Sequence, residues 1–189
     1  MKHNQVRQVV FPIITAMIWG SSFVAQSTST EHIGAFTFNA ARSFVGFLAL
    51  LVVVQIFRMV RKEPEVQQTQ EEKKAGRKEL VLGGICCGIA LALACNLQQL
   101  GMVAGASAGK TSFITTLYVV LVPIFGLALG RRGSPQLWLS VAIAVCVLYL
   151  LCMQNGFGSV ERSDMVLLLC AVLFSFQIMA VNHYGPQVD

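Results

Sequence analysis

A cation lies where the sequence is otherwise apolar. Arg42 stands about two turns into the hydrophobic run 35–57, with Asn39 one turn before it. If that run crosses a lipid bilayer, the guanidinium has three outlets. It snorkels to the outer surface, pairs with Glu31, or faces a water-filled cavity and attracts an anionic group. Amides and hydroxyls recur in the other apolar runs. Trp19, Ser21, Ser22 and Gln26 form one polar patch, Asn96, Gln98 and Gln99 a second, and Gln177 with Asn182 a third. Lys110 opens the run 111–130, where Thr111, Thr115 and Tyr118 share one stripe at helical spacing. These groups donate and accept hydrogen bonds, so they can line a solute path. The plainer alternative is that the hydroxyls bond back to their own helix carbonyls and that Trp19 is a packed aromatic.

The absences are as informative. None of the nine Asp and Glu falls inside an apolar run, and His3, His32 and His183 lie near segment ends. There are no paired acids, no nucleophile–base set and no metal-ligand cluster, so no enzyme, cofactor or metal is expected. Gly109-Lys110-Thr111 lacks the earlier glycine of a phosphate loop and follows no strand. Cys86, Cys87, Cys95, Cys146, Cys152 and Cys170 sit in or beside apolar runs with no zinc spacing, and read as small hydrophobes.

The elements that must position these residues follow from composition. Only 12% of the 189 residues are charged and mean hydropathy is +0.66. A soluble domain carries about 25% charged residues. The net charge of +5 is no nucleic-acid footprint, because twelve of the charged residues crowd between Arg58 and Glu79 and none occurs from Leu80 to Gly109. That is sorting by membrane depth. A span needs about 20 apolar residues, and six candidates fit, at about 9–26, 35–57, 80–102, 111–130, 136–153 and 165–183. All must be helical, since lipid leaves backbone groups no other partner. The fold class is therefore an all-α polytopic membrane protein with six transmembrane helices. Lys2 and Arg7 ahead of the first run also suit a signal peptide, but Trp19-Gly20 at its centre and the missing small-x-small cleavage site favour a span.

Lys and Arg set the orientation. With a cytoplasmic N-terminus, eleven lie inside and three (Arg42, Lys110 and Arg162) lie outside. Segment 66–75 is read as a mobile cytoplasmic loop or an added surface helix. The small-residue stripes Gly84/Gly88/Ala92, Ala16/Gly20 and Ser43/Gly46 are read as helix-packing faces. Pro12 and Pro123 are expected to kink their helices.

A shift of 155 residues lays Ala16–Ala25 over Ala171–Ala180, with Trp19 on Phe174 and Gly20 on Ser175. Five helices separate the copies, so the second crosses in the opposite sense, the mark of an inverted repeat. Ile18-Trp19-Gly20-Ser21-Ser22-Phe23, Asn39-Ala40-Ala41-Arg42, Gln98-Gln99-Leu100-Gly101, Ala106-Ser107-Ala108-Gly109 and Phe113–Pro123 together resemble the EamA-type transporters of the drug/metabolite transporter superfamily. The resemblance implies ten helices in two inverted five-helix repeats with both termini cytoplasmic. It implies a multi-pass protein of the plasma (inner) membrane that moves small metabolites, amino acids or drugs by alternating access. Here residues 1–154 correspond to the first repeat, and 155–189 to a loop and the first helix of a second, incomplete one. The chain then reads as truncated by about four helices. By the same resemblance, the first, third, fourth and sixth helices supply the cavity. The substrate-path candidates are Trp19, Gln26, Arg42, Asn96, Gln99, Lys110, Thr115 and Tyr118. The expected partners are a small-molecule substrate and the lipid bilayer, and no nucleic acid. A second copy of the chain or the absent repeat is left open as a further partner. The alternative function is a non-transporting membrane scaffold or an inactive fragment.

Overall fold

The computed structural model describes residues 2–29, 32–60, 70–130, 133–152 and 161–187. They form helices α1 (Lys2–Ser29), α2 (Ala35–Val60), α3 (Gln70–Val103), α4 (Ala108–Thr116), α5 (Tyr118–Ala128), α6 (Pro135–Cys152) and α7 (Arg162–Tyr184), followed by a 3-10 turn at Gly185–Gln187. Among the described residues, five segments are long and apolar enough to cross a membrane: Val9–Ser29, Ala35–Val60, Gly76–Val103, Ala108–Ala128 and Arg162–Tyr184. A shorter apolar helix covers Pro135–Cys146. The chain is an all-α, multi-pass membrane protein.

Two elements differ from the sequence expectation. Residues 70–75 are not a separate loop or helix but the first turns of α3, while 66–69 lie outside the described residues. The run Gln70–Lys78 is rich in Glu, Lys, Gln and Arg, strong helix formers that let the spanning helix begin early. The fourth span is two helices meeting at Leu117. There the Leu117 N–H donates to the Ile114 carbonyl three residues back, a tightened turn within two turns of Pro123.

Four contacts establish the helix directions. The Gln99 amide donates to the Gln26 carbonyl, which sets the C-terminal ends of α1 and α3 side by side. Asn39, near the start of α2, donates to the Cys95 carbonyl near the end of α3. Gly101 lies against Leu167 and Gly83 against Tyr184, so α3 and α7 are antiparallel. Hence α1 and α7 also run in opposite senses.

The α3–α7 seam is the tightest in the fold. Lipid tails supply no hydrophobic drive, so close packing and interhelical hydrogen bonds must hold it. A methyl group on Gly101 would lie 2.6 Å from Leu167 Cδ2, and one on Gly83 2.8 Å from Tyr184 Cβ. Between these, Ala94, Cys170 and Phe174 form a buried cluster, and the Cys170 thiol donates to the Ala94 carbonyl at 3.2 Å. The expected packing stripes are elsewhere: nothing lies within 4 Å of a methyl built on Gly20, Gly46, Gly84 or Gly88. Contact with α7 turns a different face of α3 inward, marked by positions 83, 94 and 101, which recur at helical spacing.

The turn between α3 and α4 explains its glycine. Ala106 N–H donates to the Gly101 carbonyl and Gly105 N–H to Met102, the paired bonds of a Schellman cap. Gly105 adopts φ +101°, a conformation that disfavours side chains. Ser107 then caps α4 by accepting from the Lys110 N–H. This short turn holds the polar ends of both helices together.

Candidate functional site

A cavity of about 800 Å³ lies between α1, α2 and α3, with Phe174 of α7 contributing to its wall. Its size is that of a small-molecule site. The apolar wall includes Trp19, Phe23, Phe36 and Leu91, and the polar groups include Ser22, Gln26, Asn39, Arg42, Asn96 and Gln98. Arg42 is the one charged residue among the described residues of this lining. Its guanidinium carbon lies 5.9 Å from the Phe38 ring centroid, a cation–π distance, and it also neighbours the Cys95 thiol.

The amides are held from three helices. Asn39 Nδ2 donates to the Cys95 carbonyl at 3.0 Å and to Asn96 Oδ1 at 3.2 Å. Asn96 Nδ2 in turn donates to the Ala92 carbonyl at 2.8 Å. Gln26 Nε2 donates to Ser22 Oγ, and Gln98 Nε2 to Thr115 Oγ1, both at 3.2 Å. Every one of these contacts uses an amide as donor. The acceptor oxygens of Gln26, Asn39 and Gln99 are buried without a partner. Such atoms are costly in a low-dielectric interior and are met where a site exchanges partners.

Of the eight candidates, the structure gathers Trp19, Gln26, Arg42 and Asn96 on the cavity wall. Gln99 and Thr115 lie one layer behind, fully buried, and reach the wall through Gln26 and Gln98. Tyr118 packs against the cavity aromatics, 6.4 Å from Trp19 and 6.2 Å from Phe174 between ring centroids. Lys110 is elsewhere. Its ammonium lies 2.8 Å from Asp164 and 3.1 Å from Glu161. These carboxylates also close the capping box that starts α7, so Lys110 ties α4 to that helix end. Its charge is already compensated, which removes it from the cavity as an anion attractor.

The helix set differs from the one the resemblance implies. Helix α2 lines the cavity and α4 does not. The hydroxyl stripe of α4 faces inward as expected, yet Thr115 is covered by Gln98 of α3. Asn39, Ser22, Gln98, Cys95 and Phe174 belong to the site beyond the candidates. The three-residue spacing of Asn39 and Arg42 was the signal for the first, since it puts both on one helix face. Neither Gln177 nor Asn182 lines the cavity. Cys86, Cys87, Cys95, Cys146 and Cys170 are free thiols, and no group of three or more metal-ligating side chains occurs among the described residues.

Comparison with known proteins agrees with this architecture. An "uncharacterized transporter" of Archaeoglobus fulgidus is 27% identical over 173 residues, covering 91% of this chain and 48% of its own length. The chain thus spans about half the length of the curated relative it matches. No solved structure matches. The EamA-like transporter family matches residues 7–153, most of the chain and all of α2 to α6. The chain belongs to the EamA-like transporter family.

Proposed function

We propose that this chain supplies the substrate cavity of a secondary transporter for small metabolites, amino acids or drugs, working by alternating access between inverted repeats. The cavity of about 800 Å³ enclosed by α1, α2, α3 and Phe174 of α7 carries this reading. It holds convergent polar groups in an apolar wall, as a solute site requires. The opposite sense of α1 and α7 supports an inverted relation between the first repeat and the helix that opens the second. No step of covalent chemistry is assigned to any residue, and the chain acts as a transporter rather than an enzyme. The excess of Lys and Arg on one side supports a cytoplasmic N-terminus, and the family resemblance supports a plasma-membrane location.

Reconstitution into proteoliposomes with a panel of labelled metabolites, amino acids and drugs tests the reading, on this chain alone and joined to a second repeat. Solute-dependent flux from either is expected. Its absence from both would overturn transport in favour of a non-transporting scaffold or inactive piece. That second reading draws on the chain's covering 48% of its relative.

A further inference from the structure

We infer that the cavity selects small organic carboxylates with an apolar body, and that Arg42 is the residue that holds the carboxylate. The inference rests on the proposed transport cavity and names the substrate class it takes.

The first argument is charge. Arg42 lies seven residues into α2, about 10 Å along a helix built to span lipid. Among the described residues, the cavity lining contains this cation and no carboxylate. A positive charge at such depth is stabilised by an anion in the same low-dielectric space. Of the other two cations on this side, Lys110 already has Asp164 and Glu161, and Arg162 is exposed at the start of α7 outside the cavity lining. An anionic solute would therefore be drawn to one place.

The second argument is shape. Phe38 covers one side of the Arg42 guanidinium, and the donors of that group lie along its planar edge. A planar fork of this kind matches a carboxylate with two parallel hydrogen bonds. Around it stand rings and aliphatic groups: Trp19, Phe23, Phe36, Leu91 and Phe174. They suit an apolar or aromatic body behind the carboxylate. A solute ammonium would meet no carboxylate among the described residues of this lining, so an amino group is not required for binding.

The test uses the full chain in lipid nanodiscs with Trp138→Phe. Trp19 and Trp138 are the two tryptophans, so the remaining fluorescence reports the cavity wall. The probes are phenylacetate, phenylacetamide, phenethylamine and phenylalanine. Phenylacetate is expected to quench Trp19 with an affinity about tenfold or more above phenylacetamide, the gain of charge-assisted pairing, and phenethylamine is expected not to bind. Arg42→Gln should bring acid and amide to equal affinity. Arg42→Lys should weaken phenylacetate and leave phenylacetamide unchanged, which also serves if Arg42→Gln fails to fold. Glu31→Gln should leave the preference intact. Equal binding of acid and amide, a preference that survives Arg42→Gln, loss of it in Glu31→Gln, or binding of phenylalanine alone would overturn the inference. So would silence of all four probes. The transport reading is judged apart from these outcomes, by flux with the wider solute panel.

Discussion

Trp19 and Phe174, 155 residues apart, meet with ring centroids 6.4 Å apart and planes at 57°. They are the residues that the internal sequence shift places on one another. They come together at the cavity wall. Tyr118 completes the group.

This aromatic contact predicts coupling. Aromatic pairs contribute about 0.5–1.5 kcal/mol beyond their packing area. Trp19→Leu and Phe174→Leu should each lower the melting temperature, and the double variant should lose less than their sum. A double-mutant cycle by thermal denaturation in detergent checks this. Strict additivity would mean that the rings are mere neighbours.

Gly101→Ala is predicted to destabilise the α3–α7 seam. The added methyl would fall 2.6 Å from Leu167, which is fully buried and has no room to retreat. Overpacking of this kind costs about 1–3 kcal/mol. Gly84→Ala, which meets nothing within 4 Å, should be neutral. Comparing the two melting curves separates a crowded glycine from a roomy one on the same helix.

Asn39→Leu should loosen α2. This side chain makes two hydrogen bonds to α3 and is one of two buried residues of its helix. Interhelical hydrogen bonds in membranes are worth about 0.6–2 kcal/mol, so a loss of that order is expected. Gln99→Leu removes one longer bond of 3.3 Å together with a partnerless acceptor, and should cost less. Proteolytic accessibility of α2, measured beside melting, would rise for Asn39→Leu first.

Lys110→Met is predicted to have a small effect on stability and none on affinity for a cavity ligand. The Lys110 side chain is 35% exposed, and ion pairs of that exposure contribute about 0.2–1 kcal/mol. Ligand titration of Lys110→Met beside Arg42→Lys would show the difference between a cation that ties helices and one that lines the cavity. An equal loss of affinity in both would refute it.

Much of this was legible in the sequence, for a physical reason. A bilayer demands long apolar runs, so the spans declare themselves, and a polar residue within one stands out. Trp19, Gln26, Arg42 and Asn96, which line the cavity, stand out in that way. The position of Lys110 outside the cavity lining is not legible, because its partners Glu161 and Asp164 follow at 51 and 54 residues' distance, beyond any local pattern. The packing face of α3 was hidden for another reason. In lipid an apolar side chain is acceptable on every side of a helix, so hydrophobic periodicity does not mark which stripe meets a neighbour. Gly84 and Gly88 have the familiar spacing, while Gly83 and Gly101 have the neighbours. The interruption at Leu117 carries no glycine or proline of its own, and Pro123 lies further along.

The two crowded glycines of α3, Gly83 and Gly101, are separated by 18 residues of helix, about 27 Å at 1.5 Å per residue. That nearly equals the thickness of the bilayer's hydrocarbon interior, about 30 Å. Helices pinned at both ends of such a length have little freedom to slide or to change their tilt. The α3–α7 pair is therefore a doorpost. In the proposed transport cycle this pair would stay fixed while α1 and α2, tied to it near one end by Gln26 and Asn39, move against it.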